Sequence, residues 1–308
     1  GHVRVYQLSE GAWVQLGADI DGEAASDVSG YSVALSDDGA YLAVGALNND
    51  GNGDQSGHVR VYNYTGGSWV QVGADIDGAA AGDGFGYSVS MSADGQTVAI
   101  GSAFHDSYKG HVRVYNYTGG SWVQVGADID GEAANDFSGS SVSLSDNGTI
   151  LTVGAYQNDG NGNLSGHTRV YEYSGGSWSQ IGSDIDGEAA DDRSGFNVSL
   201  SDDGSRFVTG APFNDDGANN GGQARIYEIS TPPSSAADFN AVTGSTIGTV
   251  TASAARNISG TAAQVKAALV TDPVALAVAS TVTVSDGLTA ADASSIASAT
   301  NATVAFTT

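Results

Sequence analysis

The stretch GHVRVYNYTGGSWVQVGADIDG occupies residues 57–78 and recurs, letter for letter, at residues 110–131. A catalytic constellation needs one copy of each group in one asymmetric arrangement. A verbatim duplicate marks instead a structural unit that stacks against copies of itself. Outward from this pair, Arg4, Arg60, Arg113, Arg169 and Arg225 share one G-(H/Q)-x-R-(V/I)-Y context at a nearly constant spacing. Trp13, Trp69, Trp122 and Trp178 keep the same spacing. The repeats therefore run 1–56, 57–109, 110–165 and 166–221, the second slightly shorter than the rest, and a fifth begins at Gly222 and stops near residue 230.

The second repeat reads as four short strands. Residues 58–64 are the first, with Val59 and Val61 sharing a face by period-two alternation, and the turn Thr65-Gly66-Gly67 follows. Residues 69–73 form the next strand, and an acidic loop runs over 75–83. The third and fourth strands, 86–91 and 97–101, flank Asp94-Gly95, a hairpin signal in which both residues are expected to tolerate positive φ. The same turn recurs as Asp38-Gly39, Asn147-Gly148 and Asp203-Gly204. Four antiparallel strands per repeat of this length are the signature of a β-propeller blade. The expected fold is mainly β: a propeller of four-stranded antiparallel blades, partial in this chain, followed by a small C-terminal α/β repeat module.

Composition narrows the function. Among 308 residues, 35 are acidic and 10 basic, a formal net charge of −25. Phosphate backbones and anionic lipid both require basic surface, so nucleic acid is excluded as a partner and membrane docking is disfavoured. There is no cysteine, which excludes disulfides, thiolate nucleophiles and cysteine-bound zinc. No run of about 18 apolar residues exists to span a bilayer. The chain opens on GHVRVY, inside a repeat, and is expected to be part of a longer polypeptide.

Over residues 1–230 the repeats resemble the FG-GAP repeats of integrin-α-type propellers. The "FG" is literal in Phe85-Gly86 and becomes Ser29-Gly30, Ser138-Gly139 and Ser194-Gly195 elsewhere. The "GAP" is literal in Gly210-Ala211-Pro212 and becomes Gly45-Ala46-Leu47, Gly101-Ser102-Ala103 and Gly154-Ala155-Tyr156. In that family's phasing the chain supplies two trailing strands, three full blades and a final three-strand piece. The resemblance implies calcium in the loop after the GAP position, where alternating oxygen side chains wrap a hard cation. The residues at those positions are Asp50, Asn52 and Asp54, then Asp159, Asn161 and Asn163, then Asp215. The second repeat has only Asp106 there, and neither complete loop ends in the family's distal Asp. The alternative is a Gly/Asn/Asp turn without metal.

A second acidic pattern, D-I-D-G-x5-D, recurs as Asp19/Asp21/Asp27, Asp75/Asp77/Asp83, Asp128/Asp130/Asp136 and Asp184/Asp186/Asp192. It fits one calcium per blade, or Asp side chains that cap backbone N–H groups, and capping is the favoured reading. His2, His58, His111 and His167 share one repeat position and read as strand-end structural residues, while His105 stands alone in a loop without an obvious partner. Tyr6, Tyr62, Tyr115, Tyr171 and Tyr227, with the tryptophans, offer a sugar-stacking surface or packing between blades, and packing is the favoured reading.

Composition shifts at Thr231-Pro232-Pro233-Ser234-Ser235, a linker signal, and residues 231–308 turn rich in Ala, Thr, Ser and Val. Helices are expected at 236–243, 261–270 and 289–300, and strands at 246–252, 281–285 and 302–307. This part looks like the arrays of large bacterial surface adhesins. Together these features lead to the expectation of a non-enzymatic, extracellular adhesion module whose partner is a protein or glycan on another surface, or copies of itself. A purely architectural surface-layer or fibre segment (including an external virus fibre) and a lectin-like propeller are the alternatives.

Overall fold

A computed structural model of the chain describes residues 1–229 and, beyond them, five strand segments at 251–252, 258–260, 275–276, 282–284 and 304–306. Residues 1–229 and 230–308 are separate units. The first opens with β1 (His2–Val3), β2 (Tyr6–Ser9), β3 (Ala12–Gln15) and β4 (Ile20–Asp21), in which β1 pairs with β4 and β2 with β3. Then come β5 (Ser29–Leu35), β6 (Tyr41–Ala46), β7 (His58–Thr65), β8 (Ser68–Gln71) and β9 (Ile76–Asp77). They form an antiparallel sheet in the order β5-β6-β7-β8, with β9 returning to pair with the start of β7.

The same sheet is built twice more. The second uses β10 (Phe85–Met91), β11 (Thr97–Ser102), β12 (His111–Thr118), β13 (Ser121–Gln124) and β14 (Ile129–Asp130). The third uses β15 (Ser141–Leu144), β16 (Ile150–Ala155), β17 (His167–Ser174), β18 (Ser177–Gln180) and β19 (Ile185–Asp186). A three-stranded sheet of β20 (Asn197–Leu200), β21 (Arg206–Ala211) and β22 (Gln223–Glu228) closes the unit. The fold is mainly β, with repeated four-stranded antiparallel sheets in the manner of partial propeller blades.

The core lies between sheets. Ala43, Val59 and Val61 of the first sheet pack with Phe85, Met91, Val98 and Ile100 of the second. Ala99, Val112 and Val114 of the second pack in turn with Val142, Leu144, Leu151 and Val153 of the third. Apolar residues on both faces of the middle strands are therefore covered by neighbours on either side, as in Val98, Ala99 and Ile100, all fully buried. Each fully buried aliphatic side chain stabilises by about 1.5–3 kcal/mol, and a lone sheet would forfeit much of that.

The first strands of successive sheets contact one another, and serine hydroxyls lace them together. Ser32 Oγ donates to Gly86 O and Ser88 Oγ to Gly139 O, both at 2.7 Å. Ser90, Ser141 and Ser143 accept from the backbone N–H groups of Leu144, Val198 and Leu200. The two signature glycines meet at the same junction. A Cβ on Gly101 would lie 2.0 Å from Gly139 O, and one on Gly45 would lie 2.4 Å from Gly86 O. The GAP glycine of one sheet and the FG glycine of the next are thus kept by a backbone-to-backbone approach that no side chain permits.

The acidic loop at 75–83 contains β9, a strand that the sequence pattern does not signal. The Asp-Gly hairpins also differ from expectation. Only the glycine takes positive φ, 70° at Gly95, while Asp94 accepts from Ser92 Oγ and Gln96 N–H at 2.7 and 2.9 Å. The Asp is selected for its short acceptor side chain, which stabilises the turn without a left-handed backbone. In the C-terminal unit, Thr251–Ala252 pairs in parallel with Ala275–Leu276, and Ile258–Gly260, Val282–Val284 and Val304–Phe306 form a parallel sheet. Three of these segments fall inside the strands expected at 246–252, 281–285 and 302–307. The helices expected at 236–243, 261–270 and 289–300 lie outside the described residues.

Candidate functional site

The loops after the GAP position hold their polar side chains by one rule. Asp50 Oδ1 accepts the N–H of Gln55 at 2.8 Å, Asp159 Oδ1 that of Leu164 at 2.8 Å, and Asp215 Oδ1 that of Asn220 at 2.6 Å. Asn52 Nδ2 donates to Gly78 O at 2.7 Å and Asn161 Nδ2 to Gly187 O at 2.9 Å, so each loop is tied to the next acidic loop. Asp54 and Asn163 are exposed, and their carbonyls accept the N–H groups of Gly82 and Asp191. All seven candidate calcium residues thus sit in one recurring loop, in which Asp50, Asp159 and Asp215 act as turn caps.

The D-I-D-G-x5-D pattern divides by position. The last Asp is buried in every repeat: Asp27, Asp83, Asp136 and Asp192. Its Oδ2 accepts the N–H of Ala24, Ala80, Ala133 or Ala189 at 2.9 Å. Three of these carboxylates also accept from Asn49, Asn158 or Asn214. In the second repeat His105 stands at that asparagine position, with Nδ1 2.9 Å from Asp83 Oδ1. His105 therefore has a partner, contrary to the sequence reading. The partner belongs to the acidic loop before it and becomes visible only when the repeats are aligned through the loop.

The first Asp instead meets the periodic arginine. Arg4 is bidentate on Asp19, and Gln15 adds a third bond; together they hold the Asp19 carboxyl down at about 2. Arg113 binds Asp128 in the same way and lowers it. Arg60 and Arg225 reach back to the previous repeat, donating to Asp21 O and Asp186 O at 2.9 and 2.8 Å.

The strand-end histidines are almost wholly buried: His58 is 1% exposed, His111 0% and His167 2%. Burial pushes all three below the usual imidazole range, His111 to about 4 with help from His105 and Arg113. Each faces carboxylates. Three sets have ligand atoms all within 4.8 Å of one another: Glu23–His58–Asp75, His111–Asp128–Asp130 and Glu132–His167–Asp184. These acidic and histidine clusters can bind a metal ion. The sequence reading gives the histidines a structural role because they are far from each other. It misses the carboxylates that the neighbouring loops bring to each one.

The aromatic residues sort into two groups. Tyr62 and Tyr171 are buried, and Trp69, Trp122 and Trp178 each donate Nε1–H across a junction, to Leu16 O, Val72 O and Val125 O at 2.9, 2.8 and 2.9 Å. These residues pack blades together. A separate row runs Tyr31, Tyr87, Phe104, Phe137, Tyr156, Phe196, with neighbouring ring centroids 5.2–6.2 Å apart. It crosses four repeats, and Tyr31 and Phe196 are 45% and 41% exposed. These rings follow or precede the FG and GAP glycines at differing offsets, so no single sequence position announces the row.

No family model matches the sequence, and no curated protein matches it. Solved structures with a similar course include hydrazine synthase of Kuenenia stuttgartiensis, at 14% identity and TM-score 0.44 over 68% of this chain and 48% of that one. TolB from Acinetobacter baumannii aligns at 13% identity and TM-score 0.39, over 64% of this chain and 40% of that one. A putative 6-phosphogluconolactonase from Bacteroides uniformis aligns at 12% identity and TM-score 0.40, over 74% of each chain. The chain spans about half or less of the first two. The assignment of propeller-like blades rests on the chain's own repeated sheets.

Proposed function

We propose that the chain is a non-enzymatic interaction module of a large, repetitive, extracellular surface protein, in which FG-GAP-like blades are carried on an α/β stalk. The aromatic row carries this reading. Partly exposed rings in contact across four repeats make an extended stacking surface for a protein or glycan on another surface. The net charge of −25 keeps such a surface soluble, and calcium in the loops of Asp50 and Asp159 would brace it. The test is the adhesion of beads coated with the 308-residue chain to glycan- and protein-coated surfaces, with calcium or a chelator. Tyr31→Ala with Phe196→Ala should abolish adhesion while leaving thermal unfolding nearly unchanged; adhesion equal to the parent would sink the reading.

The architectural alternative has its own support. Trp13 is 70% exposed, and among the described residues no carbonyl receives its indole. Gly182, at the position where Gly17, Gly73 and Gly126 receive a tryptophan, meets nothing within 4 Å among the described residues. A repeat seated on each face, from this chain or from another copy, would extend the stack into a ring or fibre. Concentration-dependent sedimentation that Trp13→Ala abolishes would favour that reading.

A further inference from the structure

We infer that two junctions between repeats are binding sites for a first-row divalent transition ion of the zinc class, held by Glu23, His58 and Asp75 at one and by Glu132, His167 and Asp184 at the other. The donor set decides the class. One imidazole nitrogen with two carboxylates is a zinc-type set, whereas calcium takes an all-oxygen shell. The ligands recur in register: each Glu lies in the loop of one repeat, and the His and Asp lie in the next. An ion there joins two repeats.

The geometry is close to that of a bound ion. His58 Nδ1 lies 3.7 Å from Asp75 Oδ2 and 3.9 Å from Glu23 Oε2. His167 Nδ1 lies 3.9 Å from both Asp184 Oδ2 and Glu132 Oε2. Ligands about 2.0–2.1 Å from a tetrahedral ion are about 3.3–3.4 Å from one another, so each histidine–carboxylate pair needs roughly half an ångström of closure, and the two carboxylate oxygens start within 4.8 Å of each other. The glutamates are half exposed and free to swing in, leaving a fourth position for water.

A separate observation points to a ligand. His167 Nδ1, the atom aimed between the two carboxylates, is buried with no hydrogen-bond partner; at the other site the unpaired buried atom is His58 Nε2, whereas Nδ1 is the nitrogen that faces Glu23 and Asp75. Buried polar atoms left unpaired are uncommon, and a metal supplies the missing partner of Nδ1. The outer shell is also in place. Gln71 Nε2 donates to Asp75 Oδ1 at 2.6 Å and Gln180 Nε2 to Asp184 Oδ1 at 2.7 Å. Each leaves Oδ2 toward the histidine, as partners that orient metal ligands do, and at the second site Asp184 Oδ2 also accepts from Arg169 Nη2 at 3.2 Å.

The sites are unequal. At the second, Arg169 pairs with both Glu132 and Asp184 and must be displaced. At the first, Arg60 donates to Asp21 O and stays 3.6 Å from Glu23, so the first binds more tightly. At the junction between them Ala79 stands in place of the glutamate, and Arg113 holds Asp128.

The test is zinc retained by the full 308-residue chain after gel filtration, with cobalt(II) absorbance as a report on the ligand field. The chain should retain zinc in excess calcium. Glu23→Gln, a change at an exposed side chain, should weaken binding at the first site by roughly tenfold or more, and Glu132→Gln should do so at the second. No retained zinc, or equal zinc in the parent and the double variant, would overturn the inference. Loss in one variant alone would overturn the site at the other junction.

Discussion

Replacing each tryptophan by phenylalanine tests how the repeats are joined, because the chain carries its own control. Trp122 spends its indole N–H on Val72 O, 2.8 Å away in the preceding repeat, and its Cδ1 lies 2.9 Å from where a Cβ on Gly73 would stand. Trp122→Phe leaves that carbonyl without its donor, which costs about 1 kcal/mol at a part-buried site. The smaller ring returns some tens of Å² of junction to water, roughly another 1 kcal/mol at about 25 cal/mol/Å². The sum, about 2 kcal/mol, corresponds to a Tm drop of roughly 4–8 °C for a unit of this size. Trp69→Phe and Trp178→Phe make the same loss. Trp13 has the same local sequence but no partner among the described residues and is 70% exposed, so Trp13→Phe should shift Tm by less than about 1 °C. Circular dichroism melts of the four variants suffice, since the β-sheet signal does not depend on the replaced ring. Equal shifts in all four would show that the tryptophans act within their own hairpins and would refute the interlocking role.

Three further outcomes follow from the same geometry. Gly101→Ala should prevent or severely weaken folding, since its Cβ would lie 2.0 Å from Gly139 O, whereas Gly182→Ala should cost only the positive-φ penalty, about 1 kcal/mol. Both are read by urea denaturation. Stability should decrease as pH is lowered: His111 titrates at about 4 when folded and near 6.5 when unfolded, so the unfolded chain takes up the proton first. Its contribution, roughly 2–4 kcal/mol, is complete above the unfolded pKa and lost as pH drops toward the folded one; a melt series that is flat across that window in the parent, or unchanged by His111→Leu, contradicts this. Calcium at matched ionic strength should raise Tm if the loops of Asp50 and Asp159 bind it, by RT ln(1 + [L]/Kd), and Asp50→Asn with Asp159→Asn should remove the increment; an unchanged Tm would leave these residues as turn caps alone.

The repeat and its strands are legible because period-two alternation and a verbatim duplicated string survive in one dimension. Contact between repeats is not. The signature glycines Gly45 and Gly86 belong to different repeats, and only the fold reveals that they touch. His58 reads as a strand-end residue because its two facing carboxylates, Glu23 and Asp75, come from separate loops well before and well after it in the chain. The third Asp of the acidic pattern reads correctly as a cap, since Asx capping is local chemistry. The periodic tyrosines and tryptophans allow display or packing in the sequence, with packing favoured. Indole donors and carbonyl acceptors in different repeats decide for packing.

The most direct test of the central claim, that the repeats are kept alike because each must fit the same neighbour on either side, is hydrogen exchange at the four indole N–H groups. A ¹⁵N correlation spectrum of the intact chain resolves them, and the Trp13→Phe variant identifies the first. Three indole protons should be protected, those donated across a junction to Leu16, Val72 and Val125, and that of Trp13 should exchange at the solvent rate. Four equally fast indoles would contradict the account.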